Sequence, residues 1–225
     1  MRLKKLGTAL VVVAALGAVL ANSAFAAATT TDVKWYTGAS PGTELSGSKT
    51  LTASEEGIGS FETKVSGTQI TLHMTGTECI ECKIENSGGV AVGSGKLKFT
   101  GVTVQTPAKC STSTSIETKA LSLTADWMIE PFSYIKFVPT KGEEAEFAQF
   151  TLTGTECPLK TTVIPKGTVF FLNINQTGNQ EATQHVNTTI TVNNEAGGTL
   201  HVGTEAGMLA VTLNLSIGGT AFGTH

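Results

Sequence analysis

Arginine is almost missing from this chain: Arg2 is the only one in 225 residues. Arginine is the side chain whose planar fork reads phosphates and guanine edges, and nucleic-acid binders need a basic surface that displaces counterions. A chain of formal charge −3 with a single arginine is a poor partner for DNA, RNA or an anionic lipid surface. Aspartate is nearly as scarce. Only Asp32 and Asp126 occur, so no Asp-x-Asp-x-Asp calcium loop can be written. Aromatic residues make up 6%, which gives each of them weight. Apolar residues in helical array are missing after residue 26, and one long hydrophobic run lies before it.

That run, Ala9 to Leu20, comes after the basic start Met1-Arg2-Leu3-Lys4-Lys5 and precedes Ala24-Phe25-Ala26. A positive start, a short apolar stretch and a small-x-small site specify a secretory signal peptide over residues 1–26, cut after Ala26. The run is too short for a comfortable membrane span, and no integral membrane segment is expected once it is removed. Residues 27–225 are then the secreted domain. Cleavage removes Arg2, Lys4 and Lys5 and no acid, leaving 12 basic against 18 acidic residues, a formal charge of −6.

Threonine is the commonest residue, 37 in all, followed by 25 glycines. Threonine is β-branched and suits strands; glycine supplies the positive φ of tight turns. Short alternating segments recur every eight to fifteen residues between Gly, Pro, Asn and Ser, among them 59–65, 68–74, 80–85, 95–104 and 208–217. In 208–217, Leu209, Val211, Leu213, Leu215 and Ile217 share one face of a half-buried strand. Phe170, Leu172 and Ile174 are expected to share another. Gly218 to His225 is read as the end of the last strand. The fold class is all-β, an antiparallel sandwich or barrel-like array.

Cys79, Cys82, Cys110 and Cys157 are an even set, which in an exported chain reads as two disulfides with three possible connectivities. In a continuous strand, residues three apart stand roughly 10 Å apart, beyond the ~7 Å a disulfide spans. The alternation from Ile80 onward argues for such a strand. The turn signal Gly76-Thr77-Glu78 argues for a turn reaching Cys79, hence for 79–82 with 110–157. Zinc on Cys79-x-x-Cys82 plus the other two is the rival, weakened by the lack of a second CxxC.

The pentapeptide Thr75-Gly76-Thr77-Glu78-Cys79 recurs as Thr153-Gly154-Thr155-Glu156-Cys157. It marks either a duplicated β-unit, with a boundary near 105–115, or one turn chemistry used twice. The run Gly95-Lys96-Leu97-Lys98-Phe99-Thr100-Gly101-Val102-Thr103-Val104, then Cys110, Ile116-Glu117-Thr118-Lys119-Ala120-Leu121 and Thr153 to Leu159 resembles uncharacterised secreted β-rich proteins. These occur as many paralogues in some soil bacteria of the actinobacterial type. The resemblance implies a bacterial envelope or extracellular protein and brings no activity and no site residues.

Catalytic motifs fail on inspection. Gly93-Ser94-Gly95 lacks the outer glycines of a nucleophile elbow, and Gly95-Lys96-Leu97 is no phosphate-binding loop. The histidines His73, His185, His201 and His225 have no aspartate in a distinctive context beside them. Glu55-Glu56, Glu78/Glu81/Glu85 and Glu143-Glu144-Glu146 could supply a carboxylate pair for glycoside hydrolysis, but read more simply as solvated charge. The reading leans away from an enzyme, and no catalytic residue, cofactor or metal is assigned. Trp127 and Tyr134 are the candidate ligand-facing aromatics, set against plain core packing. The expectation is a secreted binding or structural β-protein whose partner is a glycan or cell-envelope component. The alternative is an extracellular polymer hydrolase built on paired glutamates.

Overall fold

A computed structural model of the chain describes residues 33–37, 43–55, 57–129, 132–173, 184–187, 199–218 and 222–224. Residues 1–32, which hold the expected signal peptide, lie outside them. The described residues contain strands and no helix. In chain order the strands are β1 Trp35–Thr37, β2 Thr43–Glu44, β3 Lys49–Thr50, β4 Thr52–Glu55, β5 Gly59–Val65, β6 Thr68–Met74 and β7 Gly76–Ser87. Next come β8 Val90–Thr100, β9 Thr103–Thr106, β10 Ser115–Glu117, β11 Leu121–Ile129, β12 Phe132–Pro139, β13 Phe150–Thr151 and β14 Thr162–Val163. The last are β15 Val169–Asn173, β16 Gln184–Asn187, β17 His201–Val202, β18 Glu205–Ala206, β19 Met208–Ala210, β20 Thr212–Ser216 and β21 Phe222–Thr224.

The main sheet runs β3-β7-β8-β11-β12-β15-β16-β20-β4, every neighbour antiparallel. Its two ends, β3 and β4, are separated only by Leu51, whose N–H bonds the Cys82 carbonyl at 2.9 Å. One stretch, Lys49 to Glu55, therefore pairs β7 with its first half and β20 with its second, and the ladder closes on itself. Closure into a barrel removes the open edges that an isolated sheet would expose.

Alternation supplies the core. One rung passes from Ile84 to Gly93, Leu123, Phe137 and Val169 on five successive strands. Gly93 is the small member because a Cβ there would lie 2.5 Å from the Lys83 carbonyl oxygen and 3.2 Å from Leu123 Cβ. Leu51, Leu121, Ile135, Phe171, Leu213 and Leu215 fill the same interior, each essentially inaccessible to solvent. A side chain of that size contributes about 1.5–3 kcal/mol on burial. The outward positions are mostly polar, including Thr52, Ser54, Lys83, Glu85, Ser94, Ser122 and Thr124. This is the polarity of a barrel facing water, the reverse of one facing lipid. No helix among the described residues is long and apolar enough to cross a membrane.

A four-stranded sheet, β19-β5-β6-β9, continues one side of the barrel. Its order repeats that of the barrel strands it extends: β19 leads into β20, β4 into β5, β6 into β7 and β8 into β9. The alternating stretch 208–217 is thus shared by two sheets, with its apolar face buried from Leu209 to Ile217 as its period of two requires. Over the open sheet lie three segments, 107–120, 140–168 and 199–207, joined by the bridges Ser111↔Thr153, Thr118↔Ala148, Glu146↔Lys166 and Lys166↔His201. They bring Ile116, Phe147, Phe150 and Leu200 down onto Phe61 and Leu72, with Phe61 and Phe150 edge to face at 5.9 Å. Threonine hydroxyls replace ladder bonds in this cap. Leu97 N–H donates to Thr118 Oγ1 at 2.9 Å, and Thr168 and Thr199 exchange bonds between backbone and hydroxyl.

Near the β7–β8 hairpin, the small sheet β2-β1-β21 joins the first and last described strands. Asn86 fixes it: its side-chain oxygen accepts from Trp35 N–H at 2.8 Å, and its amide donates to the Trp35 and Leu45 carbonyls. Trp35 is wholly buried against Phe222 and donates its indole N–H to the Val92 carbonyl. The stretch after Gly218 is therefore more than the end of a strand, because Phe222–Thr224 pairs with β1.

Candidate functional site

The four cysteines form two disulfides, Cys79–Cys82 with a Cα separation of 5.6 Å and Cys110–Cys157 with 4.5 Å. The first forms for a reason other than a turn through Cys79. Gly76–Cys79 is already strand, paired with Thr100–Leu97, and the contraction comes from a bulge between Ile80 and Lys83 with Glu81 at φ 53°. The bulge shortens the three-residue span enough for the sulfurs to meet. Among the described residues no group of three His, Cys, Asp or Glu is placed to hold a metal.

Tyr134 lies on β12, directed to the outer wall and half-buried, while Ile135 and Phe137 point in. Trp127 lies on β11 opposite Ser133, and Tyr134 is opposite Asp126. The side chains of Trp127 and Asp126 lie outside the described residues. The ring beside Tyr134 is instead Phe170 of β15, with centroids 5.0 Å apart and planes tilted by 56°. This corrects the expected facing of β15. Val169 and Phe171 enter the core, and Phe170 stays outside; Ile174 lies beyond the described residues. Lys136 lies over the Phe170 ring at 5.5 Å and also pairs with Glu143. The outer wall so carries two adjacent rings with a cation above one of them.

Glu143 pairs with Lys136 and Glu146 lies 3.5 Å from Lys119, while Glu144 lies 3.6 Å from the His201 imidazole. Glu78, Glu81 and Glu85 are exposed along β7. Glu56, Asp32 and His225 lie outside the described residues, as do the side chains of Glu55 and His185. His201 Nδ1 is 2.7 Å from the Thr199 carbonyl oxygen, to which it donates in the matching tautomer. His73 sits within β6, opposite Ser60 and Thr103.

A polar surface that sequence reading missed lies on the cap. Two open depressions, of about 680 Å³ and 470 Å³, meet along Thr151 and Thr153. Phe150 and Leu152 point inward, so Thr151 and Thr153 stand together on the exposed side. Thr151 Oγ1 lies 3.1 Å from Thr162 Oγ1, and Thr153 Oγ1 lies 3.1 Å from Ser111 Oγ. Lys160 lines the larger depression; Ser113, Glu117, Lys119 and Gln149 line the smaller. Glu117 is held at 2.7 Å by Lys96, whose ammonium is kept above its ordinary range by that hydrogen bond and by the carboxylate charge. The only signal in the sequence was the Thr-x-Thr-x-Thr spacing of 151–155, common to any exposed strand of a threonine-rich chain.

Compared with protein-family models, with curated proteins and with solved structures, the chain matches none.

Proposed function

We propose that this chain is an exported binding protein of the cell envelope or extracellular space that holds a glycan or cell-wall polymer on its barrel wall. The observation that carries the reading is the Tyr134–Phe170 pair, two rings side by side on a wall whose other positions are mostly polar. A sugar ring offers apolar C–H faces and a polar rim. An aromatic pair flanked by Lys136, with Thr124 on the strand beside it, answers both, stacking on the faces and bonding the hydroxyls. Export is supported by the basic-apolar-small pattern of residues 1–26 and by two disulfides, which persist in oxidising compartments. The resemblance to secreted proteins of soil bacteria points to a bacterial wall as the setting.

The test is retention of the oxidised mature chain on insoluble polysaccharides and isolated cell wall, with Tyr134→Ala and Phe170→Ala compared. Retention on at least one polymer, weakened about tenfold or more by either substitution, is the expected result. Retention on none of them would sink the reading.

A further inference from the structure

We propose that the surface astride Thr151 and Thr153 is a second subsite, which binds an extended glycan strand bearing carboxylates; it rests on the glycan-binding reading and names the polymer class. The two depressions share Thr151 and Thr153 and so form one surface that crosses the Thr151–Thr153 ridge. The ridge hydroxyls are two residues apart on one face of a strand, about 7 Å. Each belongs to a mutual pair, Thr151 with Thr162 and Thr153 with Ser111, both at 3.1 Å.

A hydroxyl carries one donor and two lone pairs. A mutual pair consumes one donor and one lone pair, so the Thr151–Thr162 pair keeps one O–H, whereas Thr153 Oγ1 also donates to the Ser111 carbonyl oxygen at 3.3 Å, which leaves the Ser111–Thr153 pair acceptors alone. Such acceptor-rich pairs fit the many O–H donors of a polyol. The frame that holds them is stiff: Ser111 and Thr153 exchange backbone bonds of 2.9 and 2.8 Å, and the Cys110–Cys157 bond ties the same two segments. Pre-set acceptors lose little freedom on binding.

Charge selects the polymer. Glu117 is taken by Lys96 and Lys119 by Glu146. Lys160 lines the larger depression, exposed, and among the described residues it pairs with no carboxylate. The surface therefore presents neutral acceptors and one uncompensated cation, which suits hydroxyls accompanied by carboxylates.

The test compares the oxidised mature chain on cross-linked polygalacturonate, on cellulose and on isolated cell wall. The variants are Thr151→Val with Thr153→Val, Lys160→Ala and Tyr134→Ala. Val keeps the branched shape and removes the hydroxyl, and Lys160 is exposed, so its variant reports even if the threonine pair disturbs the cap. The expected result is tighter retention on polygalacturonate than on cellulose. The threonine variant should weaken it about tenfold or more. Lys160→Ala should reduce polygalacturonate to the cellulose level. Wild-type retention by the folded threonine variant, a preference unchanged in Lys160→Ala, or binding to cell wall without polygalacturonate would each overturn the subsite. Loss in Tyr134→Ala with full binding in both groove variants would leave the glycan function standing and remove this site. Binding of the wild type to none of the three would remove both.

Discussion

Thr75–Cys79 and Thr153–Cys157 have one sequence and two conformations. In the first, Gly76 to Cys79 is regular strand paired with β8, Thr77 is buried, and Cys79 bonds a cysteine three residues on. In the second, Thr153 bridges Ser111, Gly154 turns at φ 124°, Thr155 and Glu156 are exposed, and Cys157 bonds Cys110 at a separation of 47 residues. The residues on the C-terminal side decide the difference. After Cys79 comes Ile80-Glu81-Cys82-Lys83-Ile84, whose alternation continues the ladder with one bulge. After Cys157 comes Pro158, which has no N–H to donate and restricts the residue before it. The repeat therefore does not mark the same turn twice. Five shared residues are too few to outweigh their C-terminal neighbours and the strands they face.

The largest test of that contrast is the disulfides. In the chain-entropy picture, closing 47 residues stabilises by about 4 kcal/mol, whereas closing three gives about 2 or less. Cys110→Ser with Cys157→Ser should thus shift the guanidinium midpoint far more than Cys79→Ser with Cys82→Ser. Equal shifts would mean that the strand bulge, rather than the long loop, bears the constraint. Next come the glycines. Gly154→Ala forces a side chain into a left-handed backbone and 2.7 Å from the Lys109 carbonyl oxygen, at an expected cost of about 3 kcal/mol. Gly76→Ala meets only the Thr100 hydroxyl at 2.5 Å, a side chain that can rotate, and should cost about 1 kcal/mol. Matching losses on thermal unfolding would erase the claimed difference in backbone conformation.

The smallest effects lie with the ion pairs. Lys109–Glu156 at the turn is exposed on both sides, and Glu156→Gln should change stability by no more than about 0.5 kcal/mol. On the ladder, Lys96 has its pKa raised by Glu117. A raised lysine pKa stabilises fully below the unfolded value near 10.4 and is lost as pH climbs through the folded value. Thermal midpoints taken from about pH 8 to about pH 11 should therefore fall less steeply at the alkaline end in Glu117→Gln than in wild type. Parallel curves would show that the pair contributes nothing.

Much of the fold was legible. The strands 59–65 and 68–74 form as their alternation and the intervening Ser66-Gly67 turn dictate, with positive φ at both turn residues. The facing of β15 was not, because Val169, Phe170, Phe171 and Leu172 are all apolar and a run without alternation has no parity to read. Only the neighbours settle it, with Phe171 opposite Ile135 and Phe170 opposite Lys136. The Tyr134–Phe170 pair was half visible for the same reason. The groove on the cap was invisible, since Ser111, Thr151, Thr153, Lys160 and Thr162 belong to segments that meet through a bridge, a hairpin and a disulfide.

Local pattern was enough to make this an antiparallel all-β chain with polar outer positions. The period of two, the β-branched composition and the turn chemistry all act over a few residues. Long-range pairing had to choose the rest: that Lys49–Glu55 closes the ladder into a barrel, that four strands run on into a second sheet, and which hydroxyls and rings stand side by side. Those outcomes join residues dozens of positions apart. They are selected by packing and hydrogen bonding across the whole molecule, and no local pattern encodes them.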